Sequence, residues 1–341
     1  YGKQTIEQLD VEAVSDVMQS DWMTQGPKVT EFENDLAVYC GARFAVAVAN
    51  GTAALHLANM AMDLRTGDSV VTTPISFLAT ANSIIYCDAK PIFSDIDPTT
   101  INLDPLKLEQ TIIANPGVKG IIPVHFGGVV ADMESISKIA KNRNIWIIED
   151  ACHALGGQWI DSHGGQHQVG DCSYSDMAVF SFHPVKQITT GEGGAILTND
   201  ENIYSKLLML RSHGMTKNSD LMEENHGDWY YEMPILGFNY RITDFQCALG
   251  SSQLKRNDEW VTQRRRLVSR YDTAFESIPE VQPQLHPDSK NEYSYHLYVV
   301  QVKERRALYD FLKTKGINTQ VHYFPIHLQP YYKKKYGYGV D

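Results

Sequence analysis

The chain has 341 residues, 43% hydrophobic and 21% charged, the composition of an ordinary globular protein with room for a large core. Its net charge of −11 argues against nucleic acid, which calls for clustered Lys and Arg, and no apolar run nears the ~20 residues of a membrane span. The five cysteines are scattered without CxxC spacing, so neither a disulfide framework nor a zinc site is indicated, as expected in a reducing cytoplasm.

In chain order, residues 1–25 read as an N-terminal arm with a helix near Val11 to Met18 and no signal-peptide pattern. Phe44 to Ala49 is a buried strand, and Asn50-Gly51-Thr52 opens a helix with apolar spacing through Ala53, Leu55, Leu57 and Met60. Strands follow at Ser69 to Thr72, Lys90 to Ile96, Gly120 to Val124, Asn144 to Asp150, Met177 to Phe180 and Ala195 to Leu197. Helices are expected at Ser76 to Cys87 and Met133 to Lys141. This alternation predicts a large α/β domain over 26–240, its mostly parallel sheet covered on both faces. Ligands in such sheets bind beyond the carboxyl ends of the strands.

From residue 241 to 341 the pattern becomes a smaller α+β domain. Thr243 to Ile278 reads as one or two long helices, Tyr295 to Val302 as a strand, Arg305 to Lys315 as a helix and Asn318 to His322 as a strand. Arg264-Arg265-Arg266 reads as a solvated helix face, while Lys333-Lys334-Lys335 is a candidate aid to an anionic ligand. His163 and His167 have an i, i+4 spacing, but Gly164 and Gly165 between them indicate a loop and no metal site.

Three features fall at carboxyl ends of strands. Asn50-Gly51-Thr52 at a helix start is either a plain N-cap or an anion cradle of backbone N–H groups and a hydroxyl. Asp150 ends a buried strand, where a carboxylate needs a partner: a structural cation, or the N–H⁺ of a heteroaromatic ring, with His153 in reach of the same ligand. Lys186 follows the apolar run from Phe180 and precedes Gly191-Glu192-Gly193-Gly194. It is either a solvated surface lysine or a desolvated amine nucleophile, with Ser181 as a second phosphate donor. No GxGxxG, GxxxxGK[ST] or GxSxG element is present. Cradle, carboxylate and lysine together meet the needs of pyridoxal 5′-phosphate: a phosphate site, a group to keep the pyridine nitrogen protonated, and a Schiff-base amine. Phe77 is either a core aromatic or a stacking partner for the ring.

The stretches Asn50 to Ala58, Glu149 to Ala154, Phe180 to Lys186 with Gly191 to Gly194, Arg211 to Gly214 and Gly237 to Arg241 resemble, in order, the DegT/StrS-type sugar aminotransferases of fold type I. The resemblance covers about residues 20–330. It implies that Lys186 carries the cofactor, Asp150 pairs with the ring nitrogen, His153 lies near the ring hydroxyl, and Phe77 stacks on the ring. It implies that Gly51, Thr52, Ala53 and Ser181 hold the phosphate. Asn239 would reach the neighbouring subunit's cofactor, which implies a homodimer with shared sites, and Arg241 would take the amino donor's carboxylate. Related dehydratases carry His where Lys186 stands, so the lysine favours amino transfer. Thr24 and Gln25 resemble part of an N-terminal substrate loop, and His322, Tyr323 and His327 part of a C-terminal one. The opening from Tyr1 to Gln4 is similar to enzymes that aminate UDP-linked 4-keto-6-deoxy sugars on the way to pseudaminic acid. The implied substrates are such a UDP-keto sugar and glutamate. The alternatives are a dTDP- or GDP-linked or 3-keto sugar, a cyclitol ketone, or a non-catalytic nucleotide-sugar binder. The family continues past the Tyr-rich segment, so the resemblance implies a small domain cut short at Asp341.

Overall fold

Local signals set most element boundaries. The computed structural model describes residues 2–287 and 290–339; Tyr1 and Asp341 lie outside the described residues. Helix α1 (Gln8–Met18) starts at a capping box made by Glu7 and Asp10, and α2 (Pro27–Cys40) runs from Pro27 to the left-handed Gly41. Strand β1 (Phe44–Val48) leads into α3 (Gly51–Ala61), capped by Asn50. Then come β2 (Ser69–Thr72), α4 (Leu78–Tyr86), β3 (Lys90–Phe93), α5 (Pro105–Ala114), β4 (Val118–Ile122), α6 (Met133–Lys141) and β5 (Trp146–Asp150). Asp104 and Asp132 cap α5 and α6 through their side chains. A small hairpin, β6 (Gln158–Ile160) and β7 (Gln166–Gln168), precedes β8 (Met177–Ser181), β9 (Gly194–Thr198) and α7 (Glu201–Arg211). The remainder holds α8 (Asp244–Leu254), α9 (Asn257–Phe275), β10 (Gln282–Pro283), β11 (Val300–Gln301), α10 (Arg305–Thr314) and α11 (Pro330–Tyr336).

The sheet has seven strands in the order β1-β9-β8-β5-β4-β2-β3. Only β9 runs against its neighbours; β8, β5, β4, β2 and β3 pair in parallel. Side chains alternate between two apolar layers, as period-two geometry requires. Ala45, Ala47, Ile147, Ala178, Phe180 and Leu197 pack with Phe32 and Leu36 of α2 and Ile136 of α6. Val46, Val48, Ile148, Val179 and Ile196 pack with Leu55 and Leu57 of α3, Ile84 of α4 and Leu207 of α7. This three-layer arrangement is the fold-type I architecture expected from the sequence.

Several expectations need correction. Asn318 to His322 forms no strand; no neighbouring strand pairs with it, and from Gln320 it lines a cavity. Of Tyr295 to Val302 only Val300–Gln301 is a strand, because Tyr295 turns left-handed (φ 49°) and Leu297 N–H is spent on Gly127 O at 3.1 Å. The Arg264–Arg266 run is not a plain solvated face. Arg264 donates to the carbonyls of Tyr295 (3.2 Å) and His296 (3.3 Å), and Arg265 to that of Tyr293 (3.0 Å). His167 sits on β7 between Asp161 and Asp171, at 3.1 and 3.0 Å.

A buried ion pair ties α2 and β1 to α7. Glu33 on α2 accepts from Arg211 Nη1 and, at 2.8 Å, from Ala47 N–H, while Arg211 also donates to Ala47 O at 2.8 Å. Burial pushes the Glu33 carboxyl up, and the Arg211 charge opposes this. Removing one member leaves a buried unpaired charge, which costs about 3–5 kcal/mol. Arg211→Met is therefore expected to lower the unfolding free energy by about 3 kcal/mol in urea titrations; a loss below about 1 kcal/mol would contradict this role.

Candidate active site

The reversed strand β9 sets the geometry of the site. Gly194, its first residue, lies opposite Val48 of β1 and Ser181 of β8, and β5 ends beside them at Asp150. A Cβ on Gly194 would lie 2.7 Å from Asn50 C and O, so only glycine lets the strand approach this closely. A Cβ on Gly51 would lie 2.8 Å from Ser181 Cβ. A cavity of about 950 Å³ opens at this edge, lined by Gly51, Thr52, Asp150, His153, Ser181 and Lys186 among others.

The cradle is built by the first turn of α3. Its leading N–H groups have no intrahelical acceptor. Asn50 Oδ1 accepts that of Ala53 at 2.8 Å, which leaves those of Gly51 and Thr52 for an anion. The hydroxyls of Thr52 and Ser181 line the same corner, and the helix dipole favours negative charge there. Ala53 lines the cavity, but its N–H already serves the cap.

Asp150 is 5% exposed and fully engaged on one side. Its Oδ2 accepts from Thr80 Oγ1 at 2.7 Å and its Oδ1 from Cys152 N–H at 3.3 Å. Ser76 lies 2.7 Å from the Thr80 hydroxyl. With Thr80 donating to the carboxylate, Ser76 donates to Thr80, and the relay fixes the carboxylate plane. Each carboxylate oxygen retains a lone pair for a cationic N–H.

His153 is 5% exposed. Its Nδ1 accepts from Gly127 N–H at 3.3 Å, and its Nε2 lies 3.5 Å from Tyr323 Oη. Burial first, then the positive charges of Lys186 and His322, hold its pKa well below the usual imidazole value. His153 is thus a neutral imidazole with its proton assigned to Nε2. The backbone N–H of Lys186 donates to His183 O at 2.9 Å. Burial lowers the Lys186 pKa, with Cys152 and Asp150 opposing the shift. A neutral amine is the nucleophilic form.

Phe77 caps the entry to α4, is 57% exposed and faces Tyr323 with ring centroids 6.2 Å apart. It is therefore not a core aromatic. Phe77, His322 and Tyr323 all line the cavity. The other expected residues lie elsewhere in this chain. Thr24 bridges to Thr243, and Gln25 is exposed in a left-handed turn. Arg241 bridges to Val48, and exposed Asn239 to Ser212. His327 packs against Phe93 at 5.9 Å, and Lys333 to Lys335 are exposed on α11. Sequence reasoning missed Thr80 and His56. His56 sits one turn after Thr52, on the same face of α3, and its Nδ1 lies 3.3 Å from Tyr240 Oη at the cavity wall. That i, i+4 spacing was a usable signal; nothing local marks Thr80.

Among the described residues no group of His, Cys, Asp and Glu is arranged to hold a metal ion, and no helix is long and apolar enough to cross a membrane. The phosphate-sized cradle, the buried carboxylate and the desolvated lysine fit pyridoxal 5′-phosphate at one sheet edge. The fold and site define a pyridoxal-phosphate enzyme of fold type I.

Comparison with known proteins narrows this class. The chain matches the DegT/DnrJ/EryC1/StrS aminotransferase family over residues 4–341 and belongs to it. It is 40% identical to the spore coat polysaccharide biosynthesis protein SpsC of Bacillus subtilis, over 99% of this chain and 86% of that protein. It is 38% identical to the UDP-4-amino-4,6-dideoxy-N-acetyl-beta-L-altrosamine transaminase of Campylobacter jejuni (99% and 86%). It is also 38% identical to the GDP-perosamine synthase of Caulobacter vibrioides (94% and 82%). Among solved structures, Helicobacter pylori PseC, an aminotransferase of pseudaminic acid biosynthesis, superposes with a TM-score of 0.90 at 32% identity (99% and 88%). The PLP form of the Streptococcus pneumoniae sugar aminotransferase Spr1654 gives a TM-score of 0.88 at 29% identity (98% and 87%). The protein is a pyridoxal-phosphate-dependent sugar aminotransferase.

The lowered pKa of Lys186 has a direct consequence. In cofactor-stripped protein, its acylation, mapped by mass spectrometry, is expected to reach half-maximum below the ~10.4 of a lysine in water. Modification that needs pH above that value would show that burial does not disfavour its ammonium form.

Proposed function

We propose that the protein transfers an amino group from glutamate to C4 of a UDP-linked 4-keto-6-deoxy-hexosamine, in bacterial surface-sugar synthesis of the pseudaminic acid type. The observation that carries this reading is the convergence of Gly51, Thr52, Ser181, Asp150 and Lys186 on one cavity that His322 and Tyr323 also line. The altrosamine transaminase and PseC relatives support the UDP-4-keto substrate.

When bound, pyridoxal phosphate supplies an aldehyde conjugated to an electron-accepting ring. Gly51 and Thr52 N–H and the Thr52 and Ser181 hydroxyls would hold its phosphate, with Ala53 completing the wall. Asp150, held by Thr80, would keep the ring nitrogen protonated. His153 would donate from Nε2 to the ring hydroxyl, and Phe77 would cover one face of the ring. Lys186 Nζ would bind the cofactor, then take the proton from glutamate Cα and return one at C4 of the sugar. In balance, glutamate leaves as 2-oxoglutarate and its amine replaces the keto oxygen. Arg241 would bind the donor carboxylate. Thr24, Gln25 and His327 would meet the sugar nucleotide in a cytoplasmic homodimer whose Asn239 reaches the partner's cofactor.

The test is turnover on a panel of UDP-, dTDP- and GDP-linked keto sugars with glutamate, read by mass spectrometry. The reading predicts the highest kcat/KM with the UDP-4-keto sugar and a drop of about 10²–10⁴-fold in Lys186→Ala. The GDP-perosamine synthase relative, as similar as the altrosamine transaminase, favours a second reading with a GDP-linked sugar. Preference for that substrate would replace the first. Binding without turnover across the panel would overturn both.

A further inference from the structure

A second histidine lies behind His153. His296 is 6% exposed, its ring centroid is 4.5 Å from that of His153, and its Nδ1 has no hydrogen-bond partner. The segment around it is bolted to both residues that shape the inner wall of the site. Ser294 Oγ donates to His153 O at 3.1 Å, and Gln187, next to Lys186, donates to the same carbonyl at 2.6 Å. Leu297 N–H donates to Gly127 O at 3.1 Å, and it is Gly127 N–H that donates to His153 Nδ1. Gly128 closes this contact: at φ +95° a Cβ there would lie 2.7 Å from His153 O and Tyr295 N. From the other side Arg264 grips Tyr295 O and His296 O.

These contacts have one joint effect on His153. Its ring edge is fixed by Gly127, its inner face by His296, and its flank by Phe126 at 6.2 Å between centroids. Only Nε2 is left to point at the cavity, beside Tyr323. A swing of the His153 ring would need the space His296 fills. Loss of that ring would open a gap beside Ser294, Gln187 and Arg264, polar enough for water to reach Nδ1 and compete with Gly127. Burial, together with the nearby positive charges of Lys186 and Arg264, also holds His296 itself neutral, so it packs there without adding a charge.

We propose that His296 is a positioning residue: packed behind His153, it holds that imidazole in the tautomer that carries its proton on Nε2, directed into the cavity. The inference rests on the reading that His153 serves the cofactor ring hydroxyl. No part of it requires His296 to touch cofactor or substrate.

The test compares His296→Phe, which keeps an aromatic ring, with His296→Gln, which keeps a polar group of similar bulk without one. Holoenzyme labelled with ¹⁵N-histidine reports tautomers through the imidazole nitrogen shifts, assigned with His153→Ala. The expected result is a protonated Nε2 and bare Nδ1 at His153 in the wild type and in His296→Phe, and a mixed or shifted pattern in His296→Gln. The kcat of His296→Gln is expected to fall on the order of 10- to 100-fold with little change in sugar KM, and that of His296→Phe by less than about 3-fold. A His153 pattern unchanged in His296→Gln, or equal losses in both variants, would overturn the proposal. Full turnover in His153→Ala would instead overturn the reading of His153, and the nitrogen shifts would still decide the role of His296.

Discussion

The close approach of three chain segments, at Asn50–Gly51, Ser181 and Gly194, is the constraint on which the site depends. It exists because β9 runs against the sheet and enters it at a residue without a side chain. Any Cβ on Gly194 would push β9 away from the start of α3. That would separate the Ser181 hydroxyl from the N–H groups of Gly51 and Thr52, and an anion needs both at once. The packing of the two apolar layers exists in service of the same register, since it fixes which face each strand residue presents.

The electrostatics of the cavity follow from burial. Lys186, His153 and His296 sit close together, and for each of them desolvation is the largest influence and favours the neutral form. Mutually repelling cations at this depth would be costly, and the two imidazoles His153 and His296 relieve the conflict by staying neutral beside Lys186. Asp150 faces them with its orientation fixed by Thr80 and Cys152 N–H. The result is a basic amine and a neutral hydrogen-bond donor beside a positioned carboxylate, which is what transfer of an amino group between carbonyl carbons requires.

Much of this was legible in the sequence. The strands of the large sheet have the short apolar runs of buried parallel strands, and Asp150, Ser181 and the Asn50 cap stand where those runs end. Lys186 was readable because an apolar lead-in delivers it to a glycine-rich turn. What was not legible depended on tertiary pairing. Tyr295 to Val302 alternates like a strand, yet the hydrogen bonds of Tyr295, His296 and Leu297 go to Arg264 and to the turn at Gly127. The arginine run looked like a solvated face because nothing local shows that Tyr293, Tyr295 and His296 offer it carbonyls. Thr80 and His296 act through partners 70 and 143 residues away in the chain, at Asp150 and His153. Thr24, Gln25, Asn239, Arg241 and His327 fall outside the cavity of a single chain, where spacing in the sequence gives no guidance.

The central claim is that the desolvated lysine at this sheet edge is the one that carries pyridoxal phosphate. Reduction of the holoenzyme with borohydride, followed by peptide mapping, tests it most directly. The account predicts the phosphopyridoxyl mass on the peptide containing Lys186, and on no other lysine in stoichiometric yield. Stoichiometric labelling at another lysine, or a reduced holoenzyme whose cofactor is released without a covalent adduct, would contradict it.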